Sequence, residues 1–179
     1  MRKFWFTLSW SFCLLFWFCS CNKVEDTFLR FDIDQTYEMT IPIIPFDSIQ
    51  APVPTPDITN TFDQAFEANS TRADKVRDIK LSKLKFTIVT PVEKDFSFMK
   101  DVELFLAAQG VETTLIAFKF DIPVEVGNVL ELETTGENLD KFKNIGSYNF
   151  VVNVVTRAPV DEPIDVKADM IFKVTADVF

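Results

Sequence analysis

From Ile164 to Val178 every even position is apolar: Ile164, Val166, Ala168, Met170, Phe172, Val174, Ala176 and Val178 alternate with mostly polar or charged neighbours over fifteen positions. Successive side chains of a β-strand point to opposite faces, so this period of two describes a strand with one dry and one wet side. A helix built from the same run would spread its apolar groups around the whole axis and bury none of them well. The chain is therefore committed to a sheet with one face against a core.

Shorter runs repeat the pattern. Leu29, Phe31 and Ile33, then Tyr37, Met39 and Ile41, alternate with Arg30, Asp32, Asp34, Glu38 and Thr40, as one half-buried strand or a pair of short ones ended by Pro42 and Pro45. Ile79 and Leu81 share one parity while Leu84, Phe86 and Ile88 share the other, which predicts a β-bulge near Ser82 and Lys83. Val102, Leu104 and Leu106 lead to a turn near Gly110, and Thr114, Ile116, Phe118 and Phe120 return from it. Gly127-Asn128, between Val126 and Val129, has the composition of a two-residue hairpin turn leading into Leu130 and Leu132, and Tyr148, Phe150, Val152 and Val154 make a further strand.

Other segments lack this period. Pro52, Pro54 and Pro56 predict an extended strap or loop. Thr61-Phe62-Asp63-Gln64 has capping-box spacing, and Phe62 with Phe66 at i,i+4 predicts one or two helical turns to about Asn69. A further helical turn, anchored by Leu139 and Phe142, is expected between Asn138 and Asn144. About seven strands with one or two helical turns, and no helix repeated between strands, exclude a parallel doubly wound sheet. The expected fold is all-β, a single antiparallel β-sandwich of immunoglobulin-like type. A membrane barrel is disfavoured because Phe179 shares parity with the polar residues Asp169, Lys173, Thr175 and Asp177.

The first twenty residues are of another kind. Arg2 and Lys3 precede an apolar run from Phe4 to Phe18 interrupted only by Thr7, Ser9 and Ser11, the composition of an export signal. The run falls short of the ~20 apolar residues a spanning helix uses. It closes on Phe18-Cys19-Ser20-Cys21, which resembles the lipobox of bacterial lipoproteins, with Phe18 where Leu is usual and Cys19 where Ala, Ser or Thr is usual. The resemblance implies lipidation at Cys21, with Phe18 and Ser20 needed for processing, and a chain divided into a signal peptide (1–20), a lipidated tether (21–27) and a β-sandwich domain (28–179). The alternatives are an ordinary signal cut near Ser20 or an uncleaved anchor. Asn22-Lys23-Val24-Glu25-Asp26 resembles the Lys-plus-acidic tag of surface-displayed Bacteroidota lipoproteins. The resemblance implies attachment to the outer membrane, with surface-facing display favoured over periplasm-facing display.

Composition then excludes several chemistries. Of 18 Lys and Arg, removal of Arg2 and Lys3 leaves 16 against 27 Asp and Glu, a net charge of −11 that would repel nucleic acid and anionic lipid alike. Cys13, Cys19 and Cys21 are the only cysteines and the chain has no His, so the domain has no disulfide, thiol nucleophile, Cys-ligated zinc or imidazole base. No cofactor is implied.

The remaining constellations carry little chemistry. Ser82 with Lys85 and Ser97 with Lys100 fit Ser-x-x-Lys, a pairing that needs a helix face. The first falls in an expected strand. Asp32 with Asp34, Asp101 with Glu103, and Glu131 with Glu133 have the spacing of a solvated strand face. Asp161, Glu162 and Asp165 are hard oxygen donors that calcium could use, without the Gly-punctuated repeat of a calcium loop. Asn69-Ser70-Thr71 matches the N-glycosylation pattern, incidental in a bacterial chain.

The function expected is that of a non-catalytic binding or structural module of the cell envelope, held to the membrane by its lipid and meeting an envelope protein or a glycan. One alternative is a carbohydrate-binding accessory domain, disfavoured because the domain has no Trp and because its only Tyr residues, Tyr37 and Tyr148, have inward parity. The other is a small hydrolase using two carboxylates.

Overall fold

The computed structural model describes residues 28–45 and 51–178, with residues 51–54 described by their backbone alone. The expected export signal with Phe18 and Ser20, the expected lipidation site Cys21 and the expected tether lie outside the described residues.

Among the described residues nine strands form: β1 (Phe28–Ile41), β2 (Ala51–Pro54), β3 (Ile58–Thr59), β4 (Val76–Thr90), β5 (Met99–Ala108), β6 (Val111–Lys119), β7 (Val129–Thr134), β8 (Ser147–Thr156) and β9 (Ile164–Asp177). All neighbours are antiparallel, in the order β1-β9-β4-β7-β6-β5-β8-β2, with β3 beside β8. The all-β antiparallel fold expected from the alternation is present. Its two layers are limbs of one sheet curled into a half-barrel.

The corner is β7. Val129–Leu132 pair with Thr87–Leu84 of β4, while Glu133 and Thr134 pair with Phe118 and Ala117 of β6. Across the interior, the Tyr37 ring on β1 lies 5.4 Å from Phe150 on β8, edge to face.

Parity decides what fills the space between the limbs. The even residues of β9 from Ile164 to Ala176 are all buried, as are Tyr148, Phe150, Val152 and Val154 of β8. The register of β4 against β9 shifts between Leu81 and Lys83, so Ile79 and Leu81 on one side of the bulge and Leu84, Phe86 and Ile88 on the other all point inward. That is the parity switch expected at Ser82-Lys83.

The helix α1 (Phe62–Ala68) plugs one end. Phe62 and Phe66 are buried, and Phe62 packs between Tyr148 at 6.2 Å and Phe172 at 5.5 Å. Thr61 makes no side-chain cap; the Asn60 Oδ1 accepts from the Phe62 amide instead, and the Asn60 amide group donates to the Phe142 and Ile145 carbonyls. Asn60 thereby fixes the second expected helical turn, a 3₁₀ turn at Asp140–Phe142 whose Leu139 and Phe142 are buried.

Three expectations are corrected. The strap over 51–56 is in part a strand: β2 pairs with Val151–Val154 at the sheet edge, where proline is tolerated because one side of the backbone needs no partner. Gly127-Asn128 turns no two-residue hairpin, since β6 ends at Lys119 and β7 begins at Val129. The carbonyls of Gly127 and Asn128 accept instead from the Phe96 and Ile88 amides, at 3.1 and 2.9 Å. Phe118 and Phe120 do not continue inward from Ile116. The register of β5 against β6 shifts at Leu104 and Phe105, so Ile116 and Ala117 are buried side by side. Phe120 is half exposed and stacks on Phe118 at 5.1 Å.

Candidate functional site

Asp161, Glu162 and Asp165, the acidic group singled out from sequence, are engaged separately. Lys94 Nζ lies 3.1 Å from Asp161 and 3.2 Å from Glu162, while Asp165 accepts from Thr40 Oγ1 at 2.7 Å. Asp161, Glu162 and Asp165 therefore do not converge, and no group of three or more metal-ligating side chains occurs among the described residues. The hydrogen bond from Lys94 holds the Asp161 carboxyl below the usual carboxylate range, and the same contact raises the Lys94 ammonium.

Neither Ser-x-x-Lys pair assembles. Lys85 turns to Asp169 at 3.5 Å and Ser82 Oγ is buried without a partner among the described residues; Lys100 lies 3.8 Å from Asp101. The Asn69 amide group donates to the Ala65 carbonyl at 2.8 Å, at the end of α1.

The outer face of β1, β9 and β4 is a cross-strand charge ladder. Asp32, Lys173 and Lys80 stand opposite one another, and Asp169 accepts from Thr36 at 2.9 Å with Lys167 at 3.2 Å. The Thr36 hydrogen bond, joined by the two lysines, lowers the Asp169 carboxyl. An open groove of about 860 Å³ on this face is lined by charges of both signs, among them Arg30, Asp32, Asp78, Lys80 and Lys173. This is the solvated strand face that the spacing of its carboxylates describes.

The two ends of the fold differ more than its faces. Phe28 stands opposite Asp177 at one end of the sheet, with α1, and Ile41 stands opposite Ile164 at the other. Following the pairings, the connections β4–β5, β6–β7 and β8–β9, and residues 42–45 after β1, all lie at the Ile41 end. Of the eight large hydrophobic side chains exposed among the described residues, six sit at this loop pole: Ile43, Val89, Val92, Phe120, Val124 and Val129. Val92 is the most exposed at 83%, followed by Val124 at 60% and Ile43 at 59%.

The pole is braced from loop to loop. Ile44 and Val160 exchange both backbone hydrogen bonds, Ile122 N donates to the Lys100 carbonyl at 2.9 Å, and Arg157 N donates to the Phe98 carbonyl at 2.7 Å. The Arg157 guanidinium clamps the Met99 and Ile122 carbonyls. Asp121 takes a left-handed φ of 49° and its amide is held by Asp101 at 2.9 Å. Exposed apolar side chains on loops fixed in this way form a surface already ordered for contact, which lowers the entropy cost of association.

Charge surrounds these apolar groups unevenly. Glu93, Asp121 and Glu125 are exposed around the pole with Asp161 and Glu162, which share Lys94, while Arg157 is engaged as described, Lys119 pairs with Glu133 at 2.9 Å, and the exposed Lys100 lies 3.8 Å from Asp101. An open groove of about 240 Å³ at the rim is lined by Glu38, Met39, Thr40, Val89, Asp165 and Val166. Sequence reasoning missed the pole. Its available signal was Pro42-Ile43, Pro91-Val92 and Pro123-Val124, in which each of the three most exposed residues follows a proline that stiffens its loop.

No protein-family model matches the chain, and no curated protein matches it. Among solved structures it is similar to the crystal structure of decameric BFDV capsid protein, at 9% identity and a TM-score of 0.42, over 84% of this chain and 99% of that chain. A likeness at that level says nothing of what this chain does.

Proposed function

We propose that this chain is a lipid-anchored protein of the bacterial outer membrane whose β-domain acts as a non-catalytic binding module, displayed on the cell surface. The observation that carries the reading is polarity: the chain enters the fold at Phe28, seven positions after Cys21, at the end opposite the exposed apolar loops. A lipid on Cys21 would hold the Phe28 end near the bilayer and turn the loop pole outward. Two or three acyl chains, at about 0.8 kcal/mol per buried methylene, make such an anchor effectively permanent.

Metabolic labelling with an alkyne fatty acid tests the anchor. The wild-type chain incorporates label and runs at the size left by loss of residues 1–20, whereas Cys21→Ala accumulates as an unlabelled precursor. A Cys21→Ala protein of mature size that still fractionates with membranes would overturn the reading. Protease shaving of intact cells tests the side of display: release of peptides from the 88–98 and 119–129 loops supports the surface, and protection until the outer membrane is opened refutes it.

A further inference from the structure

We infer that the loop pole docks a protein surface with an apolar centre and a rim of lysine and arginine, and that the Glu38–Asp165 groove receives one of those basic side chains. The inference rests on the binding-module reading above and adds the chemistry of the partner.

Three observations combine. The most exposed apolar side chains, Val92, Val124 and Ile43, stand at one end on mutually braced loops, so desolvating them requires little ordering of the pole. The exposed acids Glu93, Asp121, Glu125, Asp161 and Glu162 surround them. At the rim, Glu38 and Asp165 share a groove with Val89, so an ammonium or guanidinium lying there meets two carboxylates while its methylene stem rests on the valine. Glu38 stands opposite Lys167 on β9, whose ammonium turns to Asp169 at 3.2 Å, and Asp165 stands opposite Thr40, so the register fixes the spacing of the two acidic positions.

The same charges argue against two other occupants. An anionic bilayer would be repelled by the acids around the pole, and a second copy of this pole would bring like charge against like.

The test uses the full chain in phosphatidylcholine nanodiscs and, as probe, a synthetic amphipathic peptide of leucine and lysine, with a leucine–glutamate peptide of equal length as control. The expected result is slower hydrogen exchange over 88–98 and 119–129 with the lysine peptide and no change with the glutamate peptide. Val92→Ser combined with Val124→Ser should weaken lysine-peptide binding about tenfold, and Glu38→Gln about threefold. Both valines are exposed, so these variants should keep the parent melting temperature, which circular dichroism checks. Unchanged affinity in the pole variants, or protection that maps to the charge ladder of β1, β9 and β4, overturns the inference. So does pole protection by phosphatidylglycerol vesicles in place of the peptide, or self-association in sedimentation velocity that Val92→Ser abolishes. Peptide affinity and exchange at the pole are read in the same way whether the chain is held in the nanodisc by an acyl group on Cys21, is held by an uncleaved apolar run, or stays in solution, so failure of the anchor reading and failure of this one are told apart.

Discussion

Tyr37 and Tyr148 bridge the two limbs of the sheet with hydroxyls 2.7 Å apart, and both reach Gln35 Oε1, at 2.9 and 3.1 Å. One hydroxyl can donate to Gln35 while the other donates to its neighbour, so the pair is satisfied inside an aromatic wall of Phe62 and Phe150. Burial, the largest cause for each, raises both phenols above their ordinary value of 10. The unfolded chain releases these protons above pH 10 and the folded chain keeps them, so stability is intact below pH 10 and falls as pH rises beyond it. An ultraviolet titration should show little tyrosinate absorbance until the fold is lost. Tyr148→Phe should cost about 1 kcal/mol near neutral pH and make the alkaline loss shallower, read from denaturation midpoints; a midpoint in the mutant equal to the parent's at neutral and at strongly alkaline pH would refute the role. The inward parity of both tyrosines was legible in the sequence, but their partnership was not, because it joins positions 37 and 148 through a fold that periodicity does not specify.

Elements divide in the same way, according to whether a local signal marks them. The β4 bulge was legible because apolar groups on both sides of Ser82-Lys83 declare their parity, whereas the β6 irregularity was not, because Thr114, Ile116, Phe118 and Phe120 read as an unbroken strand with no glycine or proline at the break. Loop geometry was less legible still. Gly127-Asn128 carries a hairpin composition, and tertiary hydrogen bonds to Phe96 and Ile88 set a wider connection. Ser82 is the one extra residue of the bulge, so deleting it brings Leu81 and Leu84 to i,i+2 and leaves Ile79, Leu81, Leu84, Phe86 and Ile88 facing inward from a regular strand in the same register with β9. The deletion variant should therefore fold with a denaturation midpoint near the parent's, and Ser82→Ala should hold or slightly raise the midpoint, since the Oγ it removes is buried without a partner among the described residues. An unfolded or insoluble deletion variant would show that the bulge does more than switch parity.

Over the whole molecule, one hydrophobic core runs from Ile33 on β1 to Ala176 on β9 and includes α1, the 3₁₀ turn and both limbs. Because the limbs share that core and are continuous through β7, neither buries its inner face without the other. Calorimetry should therefore show a single transition with equal calorimetric and van't Hoff enthalpies; two resolved transitions would mean that the limbs fold separately. The pole lay outside the reach of sequence reading at this scale, since loops have no period and only strand pairing reveals which of them share an end. The same pairing has a mechanical consequence. Strand β1 has 14 residues and, at about 3.3 Å per residue, runs the length of the sheet from the Phe28 end to the loop pole. If the chain is anchored through Cys21 and bound at the pole as proposed, a pull between the two would act along that strand, across the hydrogen bonds that join it to β9. Those bonds lie perpendicular to the strands and would carry the load simultaneously, in shear, instead of unzipping in sequence, so the domain is built as a stiff link between its two ends.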